Sequence, residues 1–88
     1  MKIKAYYSGT AETDLGDGTI FVEVGDEDYA VRQVGLLDGH WYWAEESNQS
    51  DERFFLADQP IYPSDIPECK TVTPEEFEKY WIKAKGVV

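Results

Sequence analysis

The stretch YAVRQVGLLDGHWYWAEE, residues 29–46, decides how this chain folds. Two apolar runs meet at the dipeptide Asp38-Gly39, which favours a type I′ turn because both central residues of that turn need positive φ. We therefore predict a β-hairpin, with one strand over Tyr29–Leu37 and the next over His40–Glu45.

Further strands are predicted on both sides of this hairpin. Segments that are rich in β-branched and aromatic residues, or that alternate in polarity, cover Met1–Tyr7, Thr19–Val24 and Arg53–Ala57. Small, glycine-rich or polar residues predict a loop over 8–18, a hairpin turn over 25–28 and a loop over 46–52. Prolines between residues 58 and 70 remove backbone donors, so this part is predicted to be an irregular crossing segment.

The best-marked element is a helix that begins after Thr73. The run Thr73-Pro74-Glu75-Glu76 supplies an N-cap hydroxyl, a proline at the first helical position and a glutamate for a capping box. Val72 is expected to contact an apolar residue in the second turn of the helix, and Gly86 to end the helix. Apolar residues at helical spacing form one stripe, which consists of Phe77, Tyr80, Trp81 and Ala84.

The order of these elements predicts a single domain of the α+β class over residues 1–88. We expect a four- to five-stranded antiparallel sheet, built from hairpins, with the C-terminal helix packed on one face. A chain of 88 residues that is 42% hydrophobic has the size of one domain and is too apolar to be disordered. No apolar run approaches the length of a membrane span or a secretory leader, and Cys69 is the only cysteine, so we expect a cytoplasmic location.

The Asp38-Gly39 turn also predicts which side chains share a face of the sheet. The pairs expected on one face, which we call the aromatic face, are Leu36 with Trp41, Val34 with Trp43, and Arg32 with Glu45. The pairs expected on the other, the aliphatic face, are Leu37 with His40, Gly35 with Tyr42, and Gln33 with Ala44. A turn over residues 25–28 is expected to pair Val24 with Tyr29, which places Ile20 and Val22 on the aliphatic face and Phe21 and Glu23 on the aromatic face.

The helix is expected to pack on the aliphatic face, because Gly35 and Ala44 leave room there for its bulky apolar stripe. The aromatic face, with Trp41 and Trp43, is then either covered by the crossing segment or partly exposed. An exposed aromatic patch with an acidic rim is typical of a partner-binding surface.

The charge of the chain is strongly negative. It has 18 acidic and 8 basic residues, a net charge of −10. Residues 5–69 hold 15 of the acids but only Arg32 and Arg53 as bases. Such a field repels nucleic acid and anionic membranes and favours basic partners.

No residue pattern indicates catalysis. The single histidine, His40, follows the turn glycine and cannot build a triad or a histidine-rich metal site, and Cys69 lies in no catalytic setting. Glu12, Asp14 and Asp17 carry oxygen ligands suited to Ca²⁺, but their spacing does not match an EF-hand loop. We therefore predict no enzyme activity, no catalytic residue, no cofactor and no metal.

Three parts of the sequence follow one another in a familiar order: VRQVGLLDG with the aromatic run up to Ala44, a proline-containing crossing, and TPEEFEKYW at the helix. In this order the chain resembles a family of small bacterial proteins, domain of unknown function 6881, over about residues 20–84. The resemblance implies the same fold and a bacterial or phage origin. It implies no chemistry, because the family carries no established activity.

These features together predict a small acidic protein-binding module without catalytic activity, of immunity or inhibitor type, that binds a basic protein. The residues expected at the partner surface are Trp41, Trp43, Glu45, Glu46, Asp26, Glu27 and Asp28. We expect a monomer or weak homodimer that binds neither nucleic acid nor membrane. Two alternatives stay open: a nucleic-acid mimic that occupies a DNA- or RNA-binding protein, and a small acid/base enzyme, which would need a pocket with converging carboxylates.

Overall fold

The structure of the protein, a computed structural model, describes residues 2–86 and is a five-stranded antiparallel sheet with a helix on one face. The elements are β1 (Ile3–Thr13), β2 (Gly16–Gly25), β3 (Ala30–Leu37), β4 (His40–Glu45), a 3₁₀ turn (Pro63–Asp65), β5 (Lys70–Thr71) and α1 (Pro74–Lys85). The strands lie side by side in the order β4-β3-β2-β1-β5. The predicted α+β fold is confirmed, although Met1, which the sequence placed in the first strand, lies outside the described residues.

The hairpin formed by β1 and β2 is longer than predicted. The two strands meet at a short turn, so the prediction of a loop over residues 8–18 is wrong. The glycines here mark close packing: a Cβ atom on Gly9 would lie 2.2 Å from Ile66 Cγ2, and one on Gly18 would lie 1.9 Å from the Leu36 carbonyl oxygen. Neither position has room for a side chain.

Residues 53–57, predicted as a strand, do not join the sheet, so this prediction is wrong. They run across a face of the sheet instead. Phe54 is buried over Gly35, where a Cβ atom would come within 2.7 Å of the phenyl ring. The Ala57 N–H donates to the side-chain oxygen of Gln33 (2.6 Å) rather than to a neighbouring strand. The fifth strand is the short β5, which pairs with the outer edge of β1.

The predicted register of β3 with β4 is confirmed for each of its pairs. The predicted pairing of Val24 with Tyr29 is wrong, because Val24 lies opposite Ala30. The Gly25 N–H donates to the Tyr29 carbonyl (2.9 Å), and Asp28 has a φ of 70°. The turn therefore takes up one residue more than the sequence suggested.

The helix α1 begins and ends at the predicted residues. The Glu76 N–H donates to the Thr73 hydroxyl (3.1 Å), and the Thr73 N–H donates to the Glu76 carboxylate (3.3 Å), which completes the capping box. At the other end Gly86 has a φ of 71°, in the left-handed region that favours glycine.

The prediction that α1 packs on the aliphatic face is wrong, because it packs on the aromatic face. Tyr80 stacks on Phe21 and on Trp41, with ring centroids 4.2 and 6.0 Å apart. Trp81 lies edge-on to Trp43, with centroids 5.8 Å apart. The aromatic stripe of the helix thus meets the aromatic residues of the sheet.

The aliphatic face is covered by residues 53–67, which we call the covering segment. Within it the Ile61 N–H donates to the Asp28 carbonyl (2.7 Å), and Ile66 packs over Gly9. The chain then rounds the edge of β1, where β5 pairs, and reaches the opposite face, which is why α1 lies there. The sheet therefore separates two buried clusters, which are Val34, Val72 and Phe77 under α1 and Leu37, Ala44 and Phe54 under the covering segment.

A buried ion pair lies between the sheet and α1. Arg32 donates two hydrogen bonds to the Glu23 carboxylate, both 2.7 Å long, and Glu23 is only 3% exposed. The guanidinium also contacts Glu78 of α1 and lies 5.0 Å from the ring centroid of Phe77 and 4.9 Å from that of Trp81. Hydrogen bonds to Glu23 raise the pKa of Arg32 above its ordinary value, so the cation persists.

The phenol of Tyr6, next to this ion pair, predicts a loss of stability in alkali. Burial raises the pKa of Tyr6, and the neighbouring Glu23 carboxylate raises it further. The phenol ionises more easily in the unfolded chain than in the folded one. Its contribution to the free energy of unfolding is therefore complete below about pH 10 and is lost as the pH rises above that value. We expect the free energy of unfolding, measured with urea, to fall less steeply above about pH 10 in Tyr6→Phe than in the wild type. Parallel losses of stability above that pH in the wild type and in Tyr6→Phe would contradict this role of the phenol.

Candidate functional site: an acidic cleft

The structure places Trp41 and Trp43, expected at the partner surface, half-buried beneath α1. Each has an aromatic partner on the helix and a lysine beside it. The Lys85 ammonium lies 4.3 Å from the ring centroid of Trp43, and the Lys83 ammonium lies 6.0 Å from that of Trp41. Both tryptophans therefore contribute to the packing of α1 on the sheet.

The acidic residues expected at the partner surface lie at the end of the sheet away from the Asp38-Gly39 turn. Glu45 is half-buried and forms a salt bridge with Lys85 (3.5 Å), whereas Glu46 is exposed directly after β4. The chain therefore neutralises one of these two carboxylates itself.

The turn between β2 and β3 holds the other three predicted acids. Asp26 and Glu27 are exposed, and Asp28 is half-buried and forms a salt bridge with Lys4. The Asp28 carboxylate raises the pKa of Lys4, which keeps this exposed lysine charged. Lys4 thus reduces the negative potential at this end of the sheet.

A second group of carboxylates meets at the opposite end of the sheet, which we call the turn end. Here the β1–β2 and β3–β4 turns pack together: the Asp38 N–H donates to the Asp17 carbonyl (3.0 Å), and a Cβ atom on Gly16 would lie 2.5 Å from Asp38 Cβ. Gly16 has a φ of 123°, so both its backbone conformation and this contact require glycine. The exposed acidic side chains held at the turn end are Glu12, Asp14, Asp17 and Asp38.

An open cleft of about 680 Å³ adjoins the turn end at the edge of β1. Glu12 and Asp17, which are cross-strand partners in β1 and β2, lie on one side, and Glu68 lies on the other. The Thr10 N–H donates to the Pro67 carbonyl (3.0 Å) and so holds the two sides together. We call the site formed by Glu12, Asp17 and Glu68 the acidic cleft.

The carboxylates of the acidic cleft form no salt bridge within the described part of the chain. The salt bridges among residues 2–86 involve other acids. Glu12 and Asp17 lie directly opposite each other, an arrangement of like charges that is unfavourable in a sheet unless a cation joins them. Lys70 and Glu68 both line an adjoining small cavity, but the two side chains form no salt bridge with each other.

The side chains of the acidic cleft are open to solvent. Glu12, Asp17 and Glu68 are all exposed, whereas the pKa shifts used in acid/base chemistry commonly come from burial and close neighbours. No group of three or more histidine, cysteine or acidic side chains in residues 2–86 is arranged to hold a metal ion. A wide, negatively charged and solvated cleft is suited to cationic side chains of a partner.

Sequence reasoning missed the acidic cleft for two reasons. It treated Glu12 and Asp17 as parts of a loop, although the alternation of small and polar residues from Gly9 to Thr13 is also that of a strand. Recognising that hairpin would have placed the two carboxylates opposite each other. Glu68 carried no such signal, because its position depends on the covering segment returning along β1 and on its own left-handed conformation (φ 53°).

No protein-family model, curated protein or solved structure matches the chain. The resemblance to domain of unknown function 6881 stays a prediction. Within residues 2–86, none of the helical structure is long and apolar enough to cross a membrane. Any functional conclusion therefore depends on the geometry of the site itself.

Proposed function

We propose that the protein is a non-catalytic binding module of the cytoplasm that captures a basic protein partner, as immunity- and inhibitor-type proteins do. One observation carries this proposal. Carboxylates that take part in no salt bridge of residues 2–86 are gathered on one surface, formed by Glu12, Asp14, Asp17, Asp38 and Glu68. A basic partner would neutralise them, whereas the chain itself does not.

Electrostatic attraction supports this kind of partner. The net charge of −10 accelerates encounters with a basic protein, and the clustering of carboxylates at the turn end orients the approach. Exposed charges are screened by salt, so the encounter rate should fall as the ionic strength rises. In this proposal these carboxylates bind the partner, whereas Trp41 and Trp43 pack against α1.

Neutralising the acidic cleft is expected to weaken capture of the partner. The test immobilises the full chain, passes lysate of the organism that encodes it over the resin, and identifies the retained proteins by mass spectrometry. We expect basic proteins to be retained by the wild type, and the triple variant Glu12→Gln/Asp17→Asn/Glu68→Gln to bind them about tenfold more weakly, since each exposed ion pair is worth about 0.2–1 kcal/mol.

The matched control removes the same number of charges at the other end of the sheet. It carries Asp26→Asn, Glu27→Gln and Glu46→Gln, three exposed acids that form no salt bridge in residues 2–86. Equal weakening by both triple variants would show that only net charge matters and would reject the site. Retained proteins that release bound DNA or RNA would instead favour the nucleic-acid mimic.

A further inference from the structure

The outer edge of β1 beside the acidic cleft has unused backbone hydrogen-bonding groups. The Tyr6 carbonyl accepts from the Val72 N–H (2.9 Å), and the Thr10 N–H donates to the Pro67 carbonyl. These bonds show that even-numbered residues of β1 point their backbone groups away from β2. Backbone direction alternates along an antiparallel strand, so Glu12 points the same way. β5 pairs only with Tyr7 and Ser8, and no backbone bond of Glu12 to a second neighbour exists within residues 2–86.

Much of the other sheet edge is protected in ways that Glu12 is not. At the end of β4 the chain closes its own edge, because the Ser50 N–H donates to the Trp43 carbonyl (2.9 Å) and the Glu45 N–H donates to the Asn48 carbonyl (2.8 Å). Trp41 has no such outward backbone bond within residues 2–86, but the carboxylates of the acidic cleft lie at the β1 edge. At the beginning of β1 a register shift and Lys4 disturb the edge, which are common ways of preventing strand addition. The edge at Glu12 continues in regular pairing up to the turn end.

From this edge we infer that the acidic cleft binds its partner as an added β-strand: a basic, extended segment pairs with β1 at Glu12 and places a lysine or arginine side chain in the cleft. The inference rests on the proposed function and specifies how the partner is recognised. Residues opposite each other in a sheet share a face, so a cation opposite Glu12 also reaches Asp17. The added strand supplies hydrogen bonds to the free backbone groups, and its alternate side chains supply the charge.

Charge complementarity decides the occupant. A second copy of this chain that paired antiparallel through the same edge would bring Glu12, Asp17 and Glu68 against the same carboxylates of the other copy. Like charges placed opposite each other destabilise strand pairing. Pairing with a basic segment is favourable instead, because its cations relieve the repulsion between Glu12 and Asp17.

The experiment uses the full chain and a ten-residue peptide of alternating lysine and threonine, with both ends blocked. The comparison peptide has the same sequence and charge but is N-methylated at every lysine, which removes the donors that would face β1. We expect the unmodified peptide to bind about tenfold more tightly by calorimetry, since the methylated one loses backbone hydrogen bonds and fits the edge poorly. Hydrogen exchange at the Glu12 amide should slow only with the unmodified peptide.

The variants separate the strand inference from the charge proposal. Glu12→Gln/Asp17→Asn/Glu68→Gln should weaken binding of the unmodified peptide about tenfold, and Asp26→Asn/Glu27→Gln/Glu46→Gln should change it less than about twofold. Equal binding of the two peptides, with no protection of the Glu12 amide, would overturn strand addition and leave charge recognition standing. If neither peptide binds while the lysate experiment still retains a basic partner through the acidic cleft, strand addition is also rejected and the proposed function is not.

Discussion

Replacing Arg32 with methionine is expected to lower the free energy of unfolding by about 3–5 kcal/mol, because the substitution leaves a buried carboxylate without its cation. Glu23 is 3% exposed and accepts both of its 2.7 Å hydrogen bonds from the Arg32 guanidinium. A domain of this length has a total stability of only about 4–13 kcal/mol, so the variant should be close to unfolding. Urea denaturation at neutral pH measures the effect.

A second substitution separates the loss of the ion pair from the loss of packing. Glu23→Leu in the Arg32→Met background removes the unpaired charge, and we expect it to recover about 2–4 kcal/mol, since apolar residues often replace a buried ion pair at little cost. Arg53→Met is the control on the exposed surface, where the salt bridge to Asp51 is screened by solvent and should contribute little to stability. Equal losses for Arg32→Met and Arg53→Met would contradict a stabilising ion pair between Arg32 and the buried Glu23.

The Arg32 pair also explains why the face of the sheet under α1 was predicted wrongly. By size alone, the stripe of Phe77, Tyr80 and Trp81 fits either face, and the gaps at Gly35 and Ala44 favoured the aliphatic one. The choice depends on partners that lie far apart in sequence. Arg32 contacts Glu78 and lies beside the rings of Phe77 and Trp81, contacts that α1 makes on the aromatic face.

The parts of the fold that depend on neighbouring residues were predictable. The Asp38-Gly39 turn determines the register of β3 with β4, and the Thr73 capping box determines where α1 begins. Both signals act within a few residues and do not depend on the rest of the chain. The Gly25–Asp28 turn was less predictable, since the left-handed conformation of Asp28 adds a residue that composition alone does not show.

The acidic cleft shows the limit of local reasoning. A run of small residues is compatible with a loop. In this strand pair, however, Gly9 allows Ile66 to approach closely, and Gly18 allows the Leu36 carbonyl to do so. Those contacts depend on where the covering segment and β3 pass. The same path brings Glu68 across the cleft from Glu12, so the site exists only once the whole chain is folded.

The covering segment provides the second large effect expected from the structure. Replacing Phe54 with alanine should lower the free energy of unfolding by about 3–5 kcal/mol, as is usual for a large side chain removed from a core. Phe54 is 5% exposed, stacks on Tyr42 with ring centroids 5.8 Å apart and fills the space over Gly35. The cavity left by alanine would open the cluster that it forms with Leu37 and Ala44.

The next residue offers a matched control, because Phe55 is 63% exposed. Phe55→Ala removes the same side chain from the same segment and should change the stability by less than about 0.5 kcal/mol. An edge strand over residues 53–57 would also bury one of two adjacent side chains, since these alternate between the faces of a sheet. Its amides, however, would be protected by hydrogen bonds to the neighbouring strand. Here the Ala57 amide is held by the Gln33 side chain alone, so Phe54→Ala should speed hydrogen exchange at Ala57 and at Ile61 together. Comparable losses of stability for the two alanine variants would contradict a covering segment anchored by Phe54.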